Sequence, residues 1–232
     1  MTSTGEGVLV LCEAAARTYG EGSTATVALQ PTDCVIRPGD RVVLMGPSGS
    51  GKSTLLHLMA GLDDPTVGTV TWPGIGPRTS LRPGPVAVIV QGPSLLPPLT
   101  IEENVALPLI LGAAAHGPAH IAARDALERL ELLELADKLP EEISGGQAQR
   151  VAVARALAGE PSLILADEPT GQLDRTSGAA VVDVLLATAA HAGAALVVAT
   201  HDPTVAARLP EVWEMHSGRL TTTRPTEAAW SR

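Results

Sequence analysis

One run, Gly-Pro-Ser-Gly-Ser-Gly-Lys-Ser at 46–53, constrains the fold of this chain more than any other segment. An apolar stretch at 41–45 precedes it, and Thr54 opens a helical pattern directly after it. The glycines allow backbone N–H groups to turn inward around an anion, and the helix N-terminus adds a partial positive charge. Lys52 supplies a point charge for the β- and γ-phosphates, and the Ser53 hydroxyl is a ligand for Mg²⁺. The segment therefore predicts a phosphate-binding loop between a strand and a helix.

Short apolar runs that alternate with helical patterns occupy much of the remaining chain. Strand-like runs are present at 68–72, 86–90, 163–166 and 195–199, and helical patterns at 119–139, 148–158 and 176–190. Continuous apolar strands that alternate with helices are typical of a mainly parallel sheet covered on both faces. The N-terminal part, 8–43, is strand-like and is broken by turn residues. The pattern as a whole predicts an α/β fold.

Composition excludes several classes of protein. Hydrophobic residues make up 45% and charged residues 18% of the 232 residues, which is enough for a core and excludes a mainly disordered chain. The net charge is −9 and no basic run is present, so nucleic acid is not expected as a partner. Cys12 and Cys34 are too few for a disulfide framework, and we expect buried, reduced thiols. The uncharged stretches 104–123 and 184–200 are too interrupted for membrane spans.

Two adjacent carboxylates, Asp167 and Glu168, follow the apolar run 163–166. A carboxylate at the end of a buried parallel strand beside a phosphate-binding loop can hold Mg²⁺ through its water shell. The adjacent Glu168 is placed to orient and deprotonate an attacking water. Such a pair is usually a solvated turn when it stands alone. Here it follows Lys52 by 115 residues in a chain with a phosphate-binding loop, which favours the functional interpretation.

A Ser-Gly-Gly-Gln turn at 144–147 precedes a helical pattern and is a second anion-binding device in the same chain. The order of phosphate-binding loop, Gln91, this turn, strand-Asp-Glu and His201 resembles the nucleotide-binding subunit of ATP-binding-cassette (ABC) transporters. The resemblance covers about residues 8–220. The stretch Ser-Gly-Gly-Gln-Ala-Gln-Arg is close to diagnostic of that family among proteins with such a loop.

This resemblance implies a fold and an activity. The fold is that of a P-loop NTPase with a RecA-like core, an antiparallel β edge near the N-terminus and an inserted α-helical subdomain at about 94–159. A single domain would span 8–220, and 221–232 would form a flexible tail. The activity is hydrolysis of ATP to ADP and phosphate, with Mg²⁺ as the metal, to power a membrane transporter.

The resemblance also implies roles for individual residues. Two cassettes dimerise head to tail in this family, so Ser144, Gly146 and Gln147 would contact the γ-phosphate bound to the opposite subunit. The nucleotide-binding residues indicated by the motifs and the resemblance together are Tyr19, Gly46, Pro47, Ser48, Gly49, Ser50, Gly51, Lys52, Ser53, Thr54, Gln91, Ser144, Gly146, Gln147, Asp174 and His201. The implied catalytic residues are Lys52, Gln91, Glu168 and His201, and the implied metal ligands are Ser53, Gln91 and Asp167.

Three of these roles depend on position in the chain. Tyr19 precedes the phosphate-binding loop at the place where the family usually has an aromatic residue that stacks on adenine. His201 follows the apolar run 195–199 and would be the histidine that contacts the γ-phosphate. Asp174 matches the loop that communicates across the dimer.

The segment 95–108 is similar to the cassettes that serve lipoprotein release, macrolide-type efflux and cell division. The chain differs from that group at Gly92-Pro93, where bulkier residues are common, and in the short segment 73–85. The implied partners are a second cassette, expected to be identical, and a transmembrane permease. The implied location is the cytoplasmic face of the plasma (inner) membrane, where the permease would hold the chain as a peripheral subunit.

Two other functions stay open at this point. One is a mechanical coupler of the cell-division type, in which ATP moves a membrane partner without cargo. The other is a soluble, non-transport ABC ATPase, although such chains usually carry long coiled coils or two tandem cassettes. Neither feature is present in this sequence.

Overall fold

The described part of the chain, residues 7–92, 94–112, 116–171 and 173–222 of this computed structural model, contains nine strands and six α-helices. The strands are β1 (Val10–Tyr19), β2 (Thr26–Ile36), β3 (Arg41–Met45), β4 (Val67–Thr71), β5 (Val86–Ile89), β6 (Leu163–Asp167), β7 (Ala195–Thr200), β8 (Glu211–His216) and β9 (Arg219–Thr222). The helices are α1 (Lys52–Met59), α2 (Ile101–Leu111), α3 (His116–Glu128), α4 (Gly145–Leu157), α5 (Arg175–His191) and α6 (Pro203–Ala206).

The larger sheet has six strands in the order β5-β6-β7-β3-β8-β9. Strands β5, β6, β7, β3 and β8 run parallel, and β9 returns antiparallel to β8. Every residue of β6 and β7 is buried. This is expected of parallel strands covered on both faces, and it explains the uninterrupted apolar runs in the sequence. The predicted α/β fold is confirmed.

The strand residues of this sheet alternate between two apolar cores. Val42 and Leu44 of β3 face the core that includes α1 and the N-terminal strands, whereas Val43 faces the core of the remaining helices. The same alternation separates Leu165 from Ala166 in β6. The sheet is therefore a middle layer, and its strand ends are where loops from different parts of the chain come together.

A second, antiparallel sheet has the order β2-β1-β4 and forms the expected β edge near the N-terminus. The backbone N–H of Gln30 in β2 donates to the carbonyl of Gly218 at 2.8 Å and so links the two sheets. Cys12 and Cys34 are paired in register across β1 and β2 as buried free thiols. The hydrogen bond with Cys12, together with burial, raises the pKa of the Cys34 thiol.

Helices α2, α3 and α4 follow β5 and precede β6, and they pack on one another. Thr100 caps α2 through its hydroxyl, which accepts from the N–H of Glu103 at 3.2 Å. The buried Asn104 side chain fixes the preceding loop, because its amide group donates to the carbonyls of Leu96 (3.1 Å) and Leu99 (3.0 Å). These helices occupy the region of the predicted helical subdomain, whose boundaries stay a prediction.

The structure differs from the sequence pattern at two helices. The helix predicted at 119–139 ends at Glu128, so that prediction is wrong beyond this residue. Glu131 adopts a left-handed conformation with φ 54°, which interrupts the helix, and a 3-10 turn follows at Leu133–Leu135. The pattern did not indicate α2 because this helix is apolar on most sides and contains Pro108. Residue spacing carries no helical signal when an amphipathic face is missing.

Two further expectations concern the chain outside these elements. Strand β9 extends to Thr222, two residues into the predicted tail, and residues 223–232 lie outside the described residues. Pro93, which belongs to the Gly92-Pro93 pair singled out in the sequence, also lies outside them. Within the described ranges, no helix is long and apolar enough to cross a membrane.

Candidate functional site

A cleft of about 580 Å³ opens at the carboxyl ends of the parallel strands. In open α/β sheets this edge is where ligands bind. The loops after β3, β5, β6 and β7 all contribute to the cleft. The described residues that line it are Ala28, Pro47, Ser48, Gly49, Gly51, Lys52, Ser53, Thr54, Gln91, Asp167, Glu168, Gly171 and His201.

The loop at 46–53 connects β3 to α1, as predicted. Gly51 precedes α1 with φ 107°, and a Cβ atom there would lie 2.4 Å from the carbonyl oxygen of Ala28. Only glycine tolerates both that conformation and that approach. Ala28 also lines the cleft, although nothing in the sequence pattern marks it as a site residue.

The back of this loop rests on the β8–β9 hairpin. The N–H of Gly218 donates to the carbonyl of Ser50 at 2.8 Å, and a Cβ atom on Gly46 would lie 2.2 Å from the Met215 carbonyl. Gly46 and Ser50, both predicted nucleotide-binding residues, lie against this hairpin and outside the described lining of the cleft. The hairpin holds the loop in shape from a distant part of the chain, so residue spacing could not reveal it.

Lys52 supplies a buried cation at the base of the loop. The residue is only 7% exposed, and Nζ donates to the carbonyl oxygens of Gly46 (2.8 Å) and Pro47 (3.1 Å). These carbonyl groups accept two hydrogen bonds from the ammonium group but carry no negative charge. Because a buried charge is costly without an opposite charge, the loop favours an anion.

Two predicted catalytic residues, Glu168 and His201, come together in the cleft although they are 33 positions apart in the chain. The Nδ1 atom of His201 lies 2.9 Å from Oε1 of Glu168. The hydroxyl of Thr200 donates to Oε2 of the same carboxylate at 3.1 Å. Thr200 was missed in the sequence, where its position directly before His201 is the only signal. A carboxylate that is held at both oxygens and lines the same cleft as a buried cation is suited to proton transfer.

The three predicted metal ligands, Ser53, Gln91 and Asp167, line the same cleft. Asp167 ends β6 and is 7% exposed. Their hydroxyl, amide and carboxylate oxygens are hard donors of the kind that Mg²⁺ prefers. The described residues contain no group of three or more His, Cys, Asp or Glu that could hold a metal. A hydroxyl, an amide and a single carboxylate are donors that fit a cation which also takes water and phosphate ligands, as Mg²⁺ does.

The Ser-Gly-Gly-Gln turn does not reach this cleft. Ser144 caps α4: its hydroxyl accepts from the N–H of Gln147 at 3.2 Å, and its own N–H donates to Oε1 of Gln147 at 2.9 Å. Ser144, Gly146 and Gln147 are all outside the described lining of the cleft. The turn thus presents an exposed helix N-terminus at a different place from Lys52.

Tyr19 is also outside the described lining of the cleft. It ends β1, is 40% exposed, and its hydroxyl donates to Oδ2 of Asp63 at 2.8 Å. The guanidinium of Arg17 lies 4.7 Å from the centre of the Tyr19 ring and forms an ion pair with Asp63 at 2.8 Å. The ring is accordingly held in a fixed position at the surface.

Asp174 begins α5 as its N-cap and lies outside the described lining of the cleft. Its Oδ1 accepts from the backbone N–H groups of Thr176 (2.9 Å) and Ser177 (3.0 Å). The Ser177 hydroxyl donates to Oδ2 at 2.6 Å and is the main cause that lowers the pKa of Asp174. In the single chain this carboxylate is a helix cap. Gln172, which precedes it in the predicted communication loop, lies outside the described residues.

The chain is similar in sequence to a family of known proteins. The family model described as "ABC transporter" matches residues 29–171. An uncharacterized ABC transporter ATP-binding protein of Mycobacterium tuberculosis is 41% identical over 210 residues, which cover 88% of this chain and 85% of that protein. The lipoprotein-releasing system ATP-binding protein LolD of Legionella pneumophila is 41% identical over 211 residues, or 88% of this chain and 93% of LolD.

Solved structures are similar over nearly the same range. A dimeric structure of the ATP-binding cassette MJ0796, in a post-hydrolysis state bound to ADP and Pi, matches with a TM-score of 0.84 and 36% identity. The match covers 93% of this chain and 99% of that one. A second dimeric structure of MJ0796, described as a bacterial ABC transporter cassette, has a TM-score of 0.85.

Proposed function

The chain belongs to the ABC transporter family as an ATP-binding and ATP-hydrolysing subunit, and from this premise we propose that the cleft is its ATP site. One observation carries the proposal: Lys52, Asp167 and Glu168, from two separate strand ends, meet in a single cleft of about 580 Å³. A buried cation, a carboxylate at a strand end and a second, anchored carboxylate are the parts that phosphoryl transfer to water requires. The Glu168→Gln substitution tests the proposal because it separates ATP binding from turnover.

The loop at 46–53 and Lys52 bind the phosphates in this proposal. The ammonium group of Lys52 exchanges its two carbonyl contacts for contacts with phosphate oxygens, which brings the missing negative charge to a buried cation. Glycine at position 51 allows the backbone to approach closely at the start of α1. The N-terminus of that helix adds a favourable partial charge.

Mg²⁺ is proposed to accompany the nucleotide. Ser53, Gln91 and Asp167 would hold it through a hydroxyl, an amide and a carboxylate oxygen. When bound, the ion would neutralise part of the charge on the phosphates.

Glu168 is proposed as the general base. Its ionised carboxylate accepts a proton from the attacking water, and the resulting oxygen nucleophile displaces ADP from the γ-phosphorus. His201 and Thr200 hold the two carboxylate oxygens, so the side chain is oriented before the substrate arrives. This hydrolysis needs positioning and charge stabilisation more than covalent help from the protein.

A second copy of the chain is proposed to complete the site. The turn at Ser144 is an exposed helix N-terminus, which is an anion-binding feature, yet it lies outside the described lining of the cleft that contains Lys52. A head-to-tail dimer would place the turn of one copy over the cleft of the other and Asp174 at the interface. The dimeric structures of MJ0796 support this arrangement.

The chain is an ATP-binding subunit of a transporter, and its membrane partner is proposed to be a permease of the lipoprotein-release or efflux type. The similarity to LolD supports this class, and the relatives' names favour neither a soluble ATPase nor a mechanical coupler. Among the described residues of the helical region, three large apolar side chains are exposed: Leu96 (42%), Leu111 (67%) and Ile121 (64%). We propose that this region docks on the permease and holds the chain at the cytoplasmic face of the inner membrane.

We expect Leu96→Glu to leave basal ATP turnover of the purified chain within about twofold of wild type and to release the chain from membranes. The side chain is exposed, and Asn104 holds the backbone of Leu96 at both its N–H (2.7 Å) and its carbonyl (3.1 Å), so the fold tolerates the change. A charge would remain unpaired in an apolar interface, which is costly. Membrane fractionation in cells measures the effect.

The matched control is Leu62→Glu, because Leu62 is 49% exposed and lies outside the helical region. Crosslinking from a Leu96→Cys variant would identify the neighbouring protein. Equal membrane association of the two glutamate variants, with no crosslink to a membrane protein, would contradict docking through this region.

Tyr19→Ala should raise KM for ATP by about fivefold or more and leave kcat nearly unchanged. Stacking on adenine is remote from the γ-phosphate and stabilises ground and transition states equally. Base–aromatic stacking contributes about 1–3 kcal/mol. Steady-state kinetics test the effect, with Tyr19→Phe as the control that keeps the ring and removes the hydrogen bond to Asp63. If both variants raise KM equally, Tyr19 acts through Asp63 and not through the base.

A further inference from the structure

The hydroxyl of Thr200 occupies a buried position between Glu168 and the start of α6. Thr200 is the last residue of β7 and has 0% exposure. Its Oγ1 lies 3.1 Å from Oε2 of Glu168 and 3.1 Å from the backbone nitrogen of Asp202. One side-chain atom therefore joins the carboxylate to the backbone that follows the strand.

The directions of these two hydrogen bonds are determined by chemistry. The N–H of Asp202 can only donate, so Oγ1 of Thr200 accepts there. A hydroxyl has one proton, and an ionised carboxylate has none to give. The Thr200 hydroxyl therefore donates to Oε2 of Glu168, and the backbone contact keeps its proton directed at that oxygen.

Glu168 needs such support because its backbone is strained. Its φ is 45°, a left-handed conformation that non-glycine residues keep only where the surroundings hold it. The backbone N–H of Glu168 donates to the carbonyl of Ala199 at 2.9 Å, and Nδ1 of His201 lies 2.9 Å from Oε1. Three successive residues, 199, 200 and 201, thus hold its backbone and both of its carboxylate oxygens.

We propose that Thr200 is a positioning residue that orients the general base, an inference that rests on the proposed role of Glu168. With the hydroxyl in place, both carboxylate oxygens are held and the group cannot rotate about its Cγ–Cδ bond. Without it, the contact with His201 is the only one that the described residues still make with the carboxylate oxygens, and the His201 side chain is 73% exposed. A misoriented base slows proton transfer without changing the affinity for a nucleotide bound at the phosphate loop.

The test compares Thr200→Val with Thr200→Ser. Valine keeps the branched shape and removes the hydroxyl, and we expect kcat to fall about 10- to 100-fold while KM for ATP stays within about twofold. Serine retains the hydroxyl and should return kcat to within about threefold of wild type. Thr188→Val is the matched control, because Thr188 is a buried threonine on α5 outside the described lining of the cleft. It should leave kcat unchanged.

A double variant separates positioning from a structural role. In the Glu168→Gln background the base is absent, so adding Thr200→Val should not lower the residual single-turnover rate further. A further loss there, or a failure of serine to restore kcat, would mean that Thr200 supports the fold and would overturn the inference. Full activity of Thr200→Val together with an inactive Glu168→Gln would overturn the inference alone. A fully active Glu168→Gln would instead overturn the proposed function of the base.

Discussion

Glu168→Gln is expected to keep ATP binding and to lower the rate of ATP turnover about 10²- to 10⁴-fold. The amide has nearly the shape of the carboxylate but cannot take the proton of the attacking water. Glu168 is in the cleft with its oxygens held by Thr200 and His201, so its loss removes an oriented base and leaves the phosphate loop unchanged. Steady-state hydrolysis measures turnover, and calorimetric titration with ATP measures binding.

The control for this substitution is Glu128→Gln, which makes the same chemical change at the exposed end of α3. It should leave both quantities as in wild type. Turnover of Glu168→Gln within about tenfold of wild type would show that another group accepts the proton. Loss of ATP binding together with turnover would show that Glu168 supports the cleft as a whole.

Mixing two inactive variants, Lys52→Ala and Ser144→Arg, is expected to restore turnover. Each variant alone should lose at least about a hundredfold of turnover. Lys52→Ala removes a positive charge that would stabilise the phosphates, and Ser144→Arg removes the capping hydroxyl and places a bulky side chain at the turn in every site of its homodimer. In a head-to-tail heterodimer, one site combines the intact phosphate loop of one copy with the intact turn of the other. Half of the dimers in an equal mixture are heterodimers, so turnover should recover to about a quarter of wild type.

The structural reason is the separation of the two features within one chain. Lys52 lines the cleft, whereas Ser144 caps α4 outside the described lining. If both belonged to one site in the same copy, no mixture could repair either loss. Light scattering provides an independent measurement, since ATP should double the mass of the Glu168→Gln variant. An inactive mixture and an unchanged mass would both contradict the composite site.

The sequence was informative where local chemistry requires particular residue types. The spacing of Gly46, Gly49, Gly51 and Lys52 predicts the phosphate loop because few residues allow a backbone to surround an anion. The apolar runs at β6 and β7 predict buried parallel strands, since a strand covered on both faces has no polar side. Both predictions depend on neighbours along the chain.

The residues at which helices end are harder to predict from the sequence alone. The sequence pattern predicts a helix over 119–139 that includes Glu131, because leucines at helical spacing follow Glu131. Leu132 and Leu135, which follow that residue, are buried in the same apolar core as the helices, so the turn depends on tertiary packing. Tertiary packing overrides intrinsic preference in such cases.

By itself, then, the sequence determined the α/β fold and placed Lys52, Asp167, Glu168 and His201 as candidates for phosphate chemistry. Only the tertiary structure brought Thr200 to Glu168, placed the β8–β9 hairpin behind the phosphate loop and kept Ser144 away from the cleft. The physical reason is that residue types and spacing encode the local backbone and its burial. Contacts between distant segments depend on how strands order in the sheet and how helices pack on it, which no local pattern specifies.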